Sequence, residues 1–298
     1  MCATCGCSDS SRPKLTNLET GLTIALDDPQ GHEHSHSHPH PHDHSHSHGH
    51  SHASDHDHHE HAHHHLPAHS GTTISVEAAV LAKNDRLAER NRGWLAGRDI
   101  LALNLVSSPG AGKTTLLERT IRDLSGELSL SVIEGDQETL NDAERIRATG
   151  CRVVQINTGT GCHLDAAMLA RGLDELNPPL HSLVMIENVG NLVCPALFDL
   201  GERAKVVIAS VTEGDDKPLK YPHMFRASTI VLLNKIDLLP YVPFNEARFL
   251  DSVRQVNPSL RVLRVSATTG DGLPDWYEWL RVQVSLGLSV STHVSPRK

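Results

Sequence analysis

Between about residues 72 and 286, apolar residues fall into two alternating patterns. The first is a short, nearly continuous run bounded by turn formers. Such runs occupy residues 100–106, 130–133, 152–156, 182–186, 205–211, 230–233 and 261–265. They are rich in Val, Ile and Leu, and several lack polar alternation, as strands buried on both faces do. The second pattern has helical spacing and occupies residues 114–124, 139–149, 165–176, 244–256 and 273–286. A helix before the first strand is expected from a cap at Ser75 to about Trp94, with Val76, Ala79, Val80 and Leu87 on one face. Strand and helix in alternation predict an α/β fold with a mostly parallel sheet flanked by helices. Outside these limits the pattern stops. Residues 1–31 read as a Cys motif and linker, 32–70 as a His-rich segment, and 71–298 as one domain with a short frayed tail.

Composition changes this picture in the front third. Eighteen of the 23 His lie between His32 and His65, spaced by Ser, Pro, Asp and Gly. With almost no apolar residues there, burial cannot offset the entropy of ordering the chain, so disorder is expected. Lys and Arg number 27 against 36 Asp and Glu, a net charge of −9. That balance argues against a nucleic-acid-coating surface. No apolar run reaches the roughly 18 residues of a membrane helix, and the N-terminus lacks a secretion signal's apolar stretch. A cytoplasmic protein is expected. Its six Cys, at 2, 5, 7, 151, 162 and 194, then read as metal ligands or buried thiols rather than disulfides.

The run after the first buried strand is Ser107-Ser108-Pro109-Gly110-Ala111-Gly112-Lys113-Thr114-Thr115. It follows the phosphate-loop pattern GxxxxGK[ST], with Ser107 where Gly is usual. Gly110, Ala111 and Gly112 let backbone N–H groups turn onto phosphate oxygens, and the helix N-terminus adds partial positive charge. Lys113 is placed to reach the β- and γ-phosphates, and the Thr114 hydroxyl to face Mg(II). Asn234-Lys235-Ile236-Asp237 follows a later strand. The Asp237 carboxylate suits the two donors on the guanine edge, Lys235 can lie over the base, and Asn234 can brace the loop. Ser266-Ala267 follows the next strand, where a third loop would touch the base. This order points to GTP. Two acidic segments end other strands, Glu134-Gly135-Asp136 and Glu187-Asn188-Val189-Gly190. Asp136 is the candidate Mg(II)-side or water-orienting carboxylate. Glu187 stands where DxxG has Asp, and the Gly190 N–H is placed to sense the γ-phosphate. No Gln occupies an obvious water-positioning place, so slow intrinsic hydrolysis is expected.

Cys162-His163 and Cys194 leave neighbouring strand ends, and two thiolates with an imidazole suit Ni(II) or Zn(II). Three donors are one short of a closed tetrahedral site; a second copy across a two-fold axis would supply more. Burial as small packed side chains is the bland alternative. Cys2, Cys5 and Cys7 put three thiols within six residues, enough to wrap one metal; a redox pair is the rival, but no helix follows inside a βαβ unit. Dense imidazole in the His run can hold several Ni(II), Zn(II) or Cu(II) ions with modest selectivity.

Taken together, CxxCGC at 2–7, SSPGAGKTT at 107–115, EGD at 134–136, GTGCH at 159–163, ENVGNLVCP at 187–195 and NKID at 234–237 resemble the HypB family. These are the GTP-dependent nickel-insertion proteins of [NiFe]-hydrogenase maturation. The resemblance implies a P-loop GTPase activated by nucleotide-dependent homodimerisation. It implies a tight nickel site at Cys2, Cys5 and Cys7, and a weaker nickel or zinc site at Cys162, His163 and Cys194 on the dimer interface. It also implies two partners, the nickel metallochaperone HypA and the hydrogenase large-subunit precursor. The His run suggests added nickel storage. The urease GTPase UreG is the nearest rival, but its metal motif is Cys-Pro-His, and this chain has no Pro between Cys162 and His163. A nickel reservoir with a docking-only GTPase domain is the non-enzymatic alternative.

Overall fold

A computed structural model describes residues 13–26, 70–137 and 140–291. The Cys2–Cys5–Cys7 motif and the His run, with its expected disorder, lie outside the described residues. Among the described residues, nine strands form one sheet. In chain order they are β1 Lys14–Asn17, β2 Thr23–Ala25, β3 Leu101–Ser107, β4 Leu130–Asp136, β5 Arg152–Asn157, β6 Leu183–Glu187, β7 Ala204–Ser210, β8 Ile230–Asn234 and β9 Arg261–Arg264. The sheet order is β2-β1-β5-β4-β6-β3-β7-β8-β9. From β5 to β9 every pairing is parallel, as the unbroken apolar runs require. β3, β6, β7 and β8 are buried at every position.

The helices are α1 Ser70–Ala96, α2 Lys113–Leu124, α3 Asn141–Arg147, α4 Ala166–Leu176, α5 Cys194–Leu197, α6 Lys217–Lys220, α7 Pro222–Ala227, α8 Glu246–Val256 and α9 Leu273–Ser291. A 3-10 helix covers Ile236–Tyr241. One face of the sheet packs against α2, α3 and α9 through Leu116, Ile121, Ile146, Trp276 and Leu280. The other packs against α1 and α4 through Leu95, Leu169 and Leu173, and against α7 and α8 through Phe225 and Phe249.

Two expectations change. Residues 14–25, read as linker, are an edge hairpin: β1 pairs antiparallel with β5 and β2 with β1. Fully buried Leu15 anchors it, and the Asn17 amide donates to Glu175 Oε1 at 2.7 Å on α4. One apolar residue in a four-residue edge strand gives no periodicity to read. The first helix begins at Ser70 rather than after Ser75. No helix among the described residues is long and apolar enough to cross a membrane.

Candidate functional site

The parallel strands end together, and at or just beyond their carboxyl ends lie the described residues assigned to the nucleotide and thiol sites. β3 opens into the phosphate loop. Gly110 and Gly112 have φ of 76° and 91°, which side-chain-bearing residues rarely adopt. A Cβ on Gly112 would sit 2.6 Å from the Asn234 amide nitrogen. That nitrogen donates to Ala111 O at 2.9 Å, and Asn234 Oδ1 accepts from Ala267 N at 3.1 Å. Asn234, almost fully buried, thus ties the base-side loops to the phosphate loop. The Lys235 ammonium donates to Gly110 O at 2.7 Å, and Ser266 Oγ donates to Asp237 Oδ1 at 2.6 Å. A cleft of about 600 Å³ runs over residues 107–115 and is walled by Glu134, Asp136, Gly190 and Lys235. Gly190 packs against Pro109, where a Cβ would come within 3.1 Å.

Acid gathers at the base of this cleft. Glu134 and Glu187 are register partners on β4 and β6, and both are buried. Thr114 Oγ1 and Lys113 Nζ donate to Glu187 Oε1 at 2.6 and 3.1 Å, but Oε2 of each glutamate has no hydrogen-bond partner. Burial, then the charges of Glu187 and Asp136, push the Glu134 carboxyl well above the usual range, against the pull of Lys113. Two orphaned carboxylate oxygens beside a threonine hydroxyl fit a hard divalent cation, which takes oxygen ligands.

The thiol cluster lies next door. Sγ of Cys162 is 3.0 Å from Sγ of Cys194 and 3.6 Å from His163 Nδ1. All three ligand atoms fall within 4.8 Å of one another. Cys194 opens α5, and the His163 ring rests on Phe198 at 4.0 Å between centroids. Burial holds the His163 imidazole below its ordinary range despite Asp165, leaving the neutral form that binds metal. Cys151 is apart and buried, its thiol pushed up to about 12 by burial first and then Glu19, which keeps it protonated and inert.

Three residues beyond the predicted set matter. Gln137 lines the nucleotide cleft, although the sequence offered no obvious Gln there, and its amide reaches Gly161 O at 3.4 Å. Arg145 of α3 also lines it and pairs with Glu118 at 3.0 Å. Asn188 joins the two centres: its carbonyl accepts from Lys113 Nζ at 2.5 Å, and its Oδ1 accepts from Leu164 N at 3.2 Å, one residue past His163. Its neighbours Glu187 and Gly190 mark the segment in sequence, but only the fold shows what Asn188 spans.

A parallel sheet whose central strand turns through a glycine loop into a helix, with a base-side loop braced on it, defines a P-loop nucleotide-binding protein. Residues 101–264 match the CobW/HypB/UreG nucleotide-binding domain. Over 210 residues the chain is 56% identical to the hydrogenase maturation factor HypB of Escherichia coli K12, spanning 70% of this chain and 72% of that one. Among solved structures it is similar to HypB from Archaeoglobus fulgidus, at 38% identity and a TM-score of 0.64 over 68% of this chain and 99% of that one. It is also similar to HypB from Helicobacter pylori in complex with nickel, at 33% identity and 0.65 over 72% and 99%. The chain belongs to the HypB hydrogenase maturation factors, a family of P-loop GTPases.

Proposed function

We propose that this chain is a metal-coupled GTPase switch that delivers Ni(II) to the [NiFe]-hydrogenase large subunit, in the cytoplasm and with HypA as companion. The reading is carried by Asn188, whose carbonyl meets the phosphate-loop lysine while its side chain holds the backbone beside His163. Lys113 Nζ already donates to Glu187 and Asn188 O, and bound β- and γ-phosphates would draw on the same ammonium. GTP therefore competes for this cation and frees the strand end that holds the thiol loop. The nickel complex of the H. pylori relative supports nickel as the cargo.

Backbone N–H groups of Gly110, Ala111, Gly112, Lys113, Thr114 and Thr115 would cradle the phosphates, with Gly190 N–H toward the γ-phosphate. Thr114 and Glu187, backed by Glu134 and Asp136, would hold Mg(II), which offsets phosphate charge when bound. Asp136 orients the attacking water. Gln137 has its amide on Gly161 O, which agrees with slow intrinsic turnover. Asp237, held by Ser266, takes the guanine edge, with Lys235 over the base and Asn234 and Ala267 as its brace. Cys162, His163 and Cys194 hold Ni(II) or Zn(II) as cargo, completed across a homodimer promoted by GTP and metal. Cys2, Cys5 and Cys7 form the tighter nickel site, and the His run stores nickel.

The test is GTP turnover and dimer mass on one sample, with and without Ni(II) and a non-hydrolysable GTP analogue. Nickel or nucleotide should shift the dimer population and change turnover. K113A should lower turnover by at least about 10²-fold and abolish hydrogenase nickel loading. Unchanged loading in K113A would leave a nickel reservoir with a docking-only GTPase domain. A defect confined to urease would assign the chain to urease maturation instead.

A further inference from the structure

Two polar residues interrupt the apolar interior of β3 and β7, and they face each other. Asn104 stands opposite Lys205 in the parallel ladder, and both are buried. Glu202, just ahead of β7, is buried too, its side chain 3% exposed against 9% for Lys205. The Lys205 ammonium meets Glu202 Oε1 at 2.7 Å, and the Asn104 amide donates to the same oxygen at 3.1 Å. Stability alone does not account for such a pair. Apolar residues of similar volume in place of a buried ion pair are often neutral or stabilising.

What the two charges hold is backbone. Lys205 Nζ donates to Phe198 O at 3.2 Å, and Glu202 Oε2 accepts from Leu200 N at 2.7 Å. Both backbone atoms belong to the segment that follows Cys194 and α5, and the Phe198 ring is the surface on which His163 rests. The pair therefore fixes the aromatic floor of the thiol site. It is also joined to the nucleotide side, because Asn188 Nδ2 donates to Asn104 Oδ1 at 3.2 Å. A continuous run of buried hydrogen bonds thus leads from Lys113 through Asn188, Asn104 and Glu202 to Leu200, and through Lys205 to Phe198. A shorter run leads from Asn188 to Leu164, beside His163. In a low-dielectric interior such bonds are strong and costly to leave half-made.

We propose that Glu202 and Lys205 are positioning residues of the thiol site and that Asn104 links them to the nucleotide. GTP then sets the Cys194 arm and the Cys162–His163 arm together. This rests on the switch reading above. When phosphate draws Lys113 from the Asn188 carbonyl, a shift of Asn188 passes to both arms, so the three donors move as a set.

The test uses the full-length chain carrying C2A/C5A/C7A, so that thiolate-to-nickel charge-transfer absorbance reports the Cys162 site. Ni(II) affinity is measured with GDP and with a non-hydrolysable GTP analogue, and the ratio of the two is the readout. The His run competes for Ni(II) alike in both states and cancels from the ratio. N104L cuts the link but leaves Glu202 on Lys205 and Leu200; it should move the ratio toward one by about 2- to 30-fold. E202L/K205M removes both charges together, which spares the fold an unpaired buried ion. It should weaken Ni(II) binding in both states and also move the ratio toward one. Tm checks that each variant folds, and either one alone reads the link. A ratio held at the parent's value in a folded variant overturns the proposal, and equal loss of affinity in both states then marks the pair as structural support only. A parent ratio of one removes the switch reading instead, and the proposal with it.

Discussion

Asn188 uses all four of its hydrogen-bonding atoms, and each faces a different part of the molecule. Its N–H donates to Leu105 O, its carbonyl accepts from Lys113, its Oδ1 accepts from Leu164 N and Val189 N, and its Nδ2 donates to Asn104 Oδ1. It is fully buried, so losing the amide leaves its partners unsatisfied, at a cost of about 1–3 kcal/mol each. Only the side chain reaches Leu164, so N188A should break the link while sparing the carbonyl contact to Lys113. Nickel affinity at the Cys162 site, measured in GTP-analogue and GDP states, should become the same in both. A preserved ratio would show that coupling takes another route. The phosphate loop and NKID were readable from sequence because their chemistry is local: Gly, Lys and Thr act within a few positions. Asn188 and Gln137 were not, because the partners that matter lie far along the chain: Leu164, Lys113 and Asn104 are 24, 75 and 84 residues from Asn188, and Gly161 is 24 from Gln137.

Two side chains of α1, one heptad apart, hold both arms of the thiol site. Asn84 Oδ1 accepts from Ala166 N at 2.9 Å and its Nδ2 donates to Asp199 O at 2.7 Å. Asn91 Nδ2 donates to Ala166 O at 2.8 Å and Leu200 O at 3.0 Å. Ala166 ends the Cys162–His163 loop, and residues 199–200 follow α5 with Cys194. Gly201, at φ 90°, lets this segment meet α1, since a Cβ there would lie 2.4 Å from Ala88 O. G201A should therefore cost about 1–3 kcal/mol, seen as a lower Tm, and should weaken nickel binding at the Cys162 site more than GTP binding. The same contact responds to acid. Burial pushes the Asp199 carboxyl up, but the Gly201 N–H and the Arg92 guanidinium outweigh it and hold it below the usual range. A depressed carboxyl stabilises the fold above its unfolded value of about 3.9, and that contribution is lost as pH falls through the lower folded value. The Tm difference between the parent and R92M should narrow below about pH 4. The interior strands β3 to β8 were legible because burial on both faces writes an unbroken apolar run, and the edge strand β9 was legible only from its short apolar pair Val262-Leu263. The hairpin and the short helices α5, α6 and α7 were not, since three to six residues held by tertiary contacts carry no period.

At the scale of the molecule, one end of the sheet gathers the phosphate loop, the base loops, the thiol site and both ends of the edge hairpin. The described part of the hairpin ends here at Leu26, whose N–H donates to Pro13 O at 2.8 Å. Deleting residues 32–65 should lower the number of Ni(II) ions held per chain, measured by titration, while leaving GTP turnover intact; an unchanged capacity would remove the storage role. The 3.0 Å between the two sulfurs of the thiol site has a consequence of another kind. Sulfurs that close need move only about 1 Å to bond, since a disulfide is about 2.05 Å long. Removal of two electrons and two protons by dissolved oxygen or peroxide would join them and shut out any incoming ion. The reduced pair is thus open to oxidation, and an ion held by both thiolates, as the proposed function requires, would act as the pair's preservative.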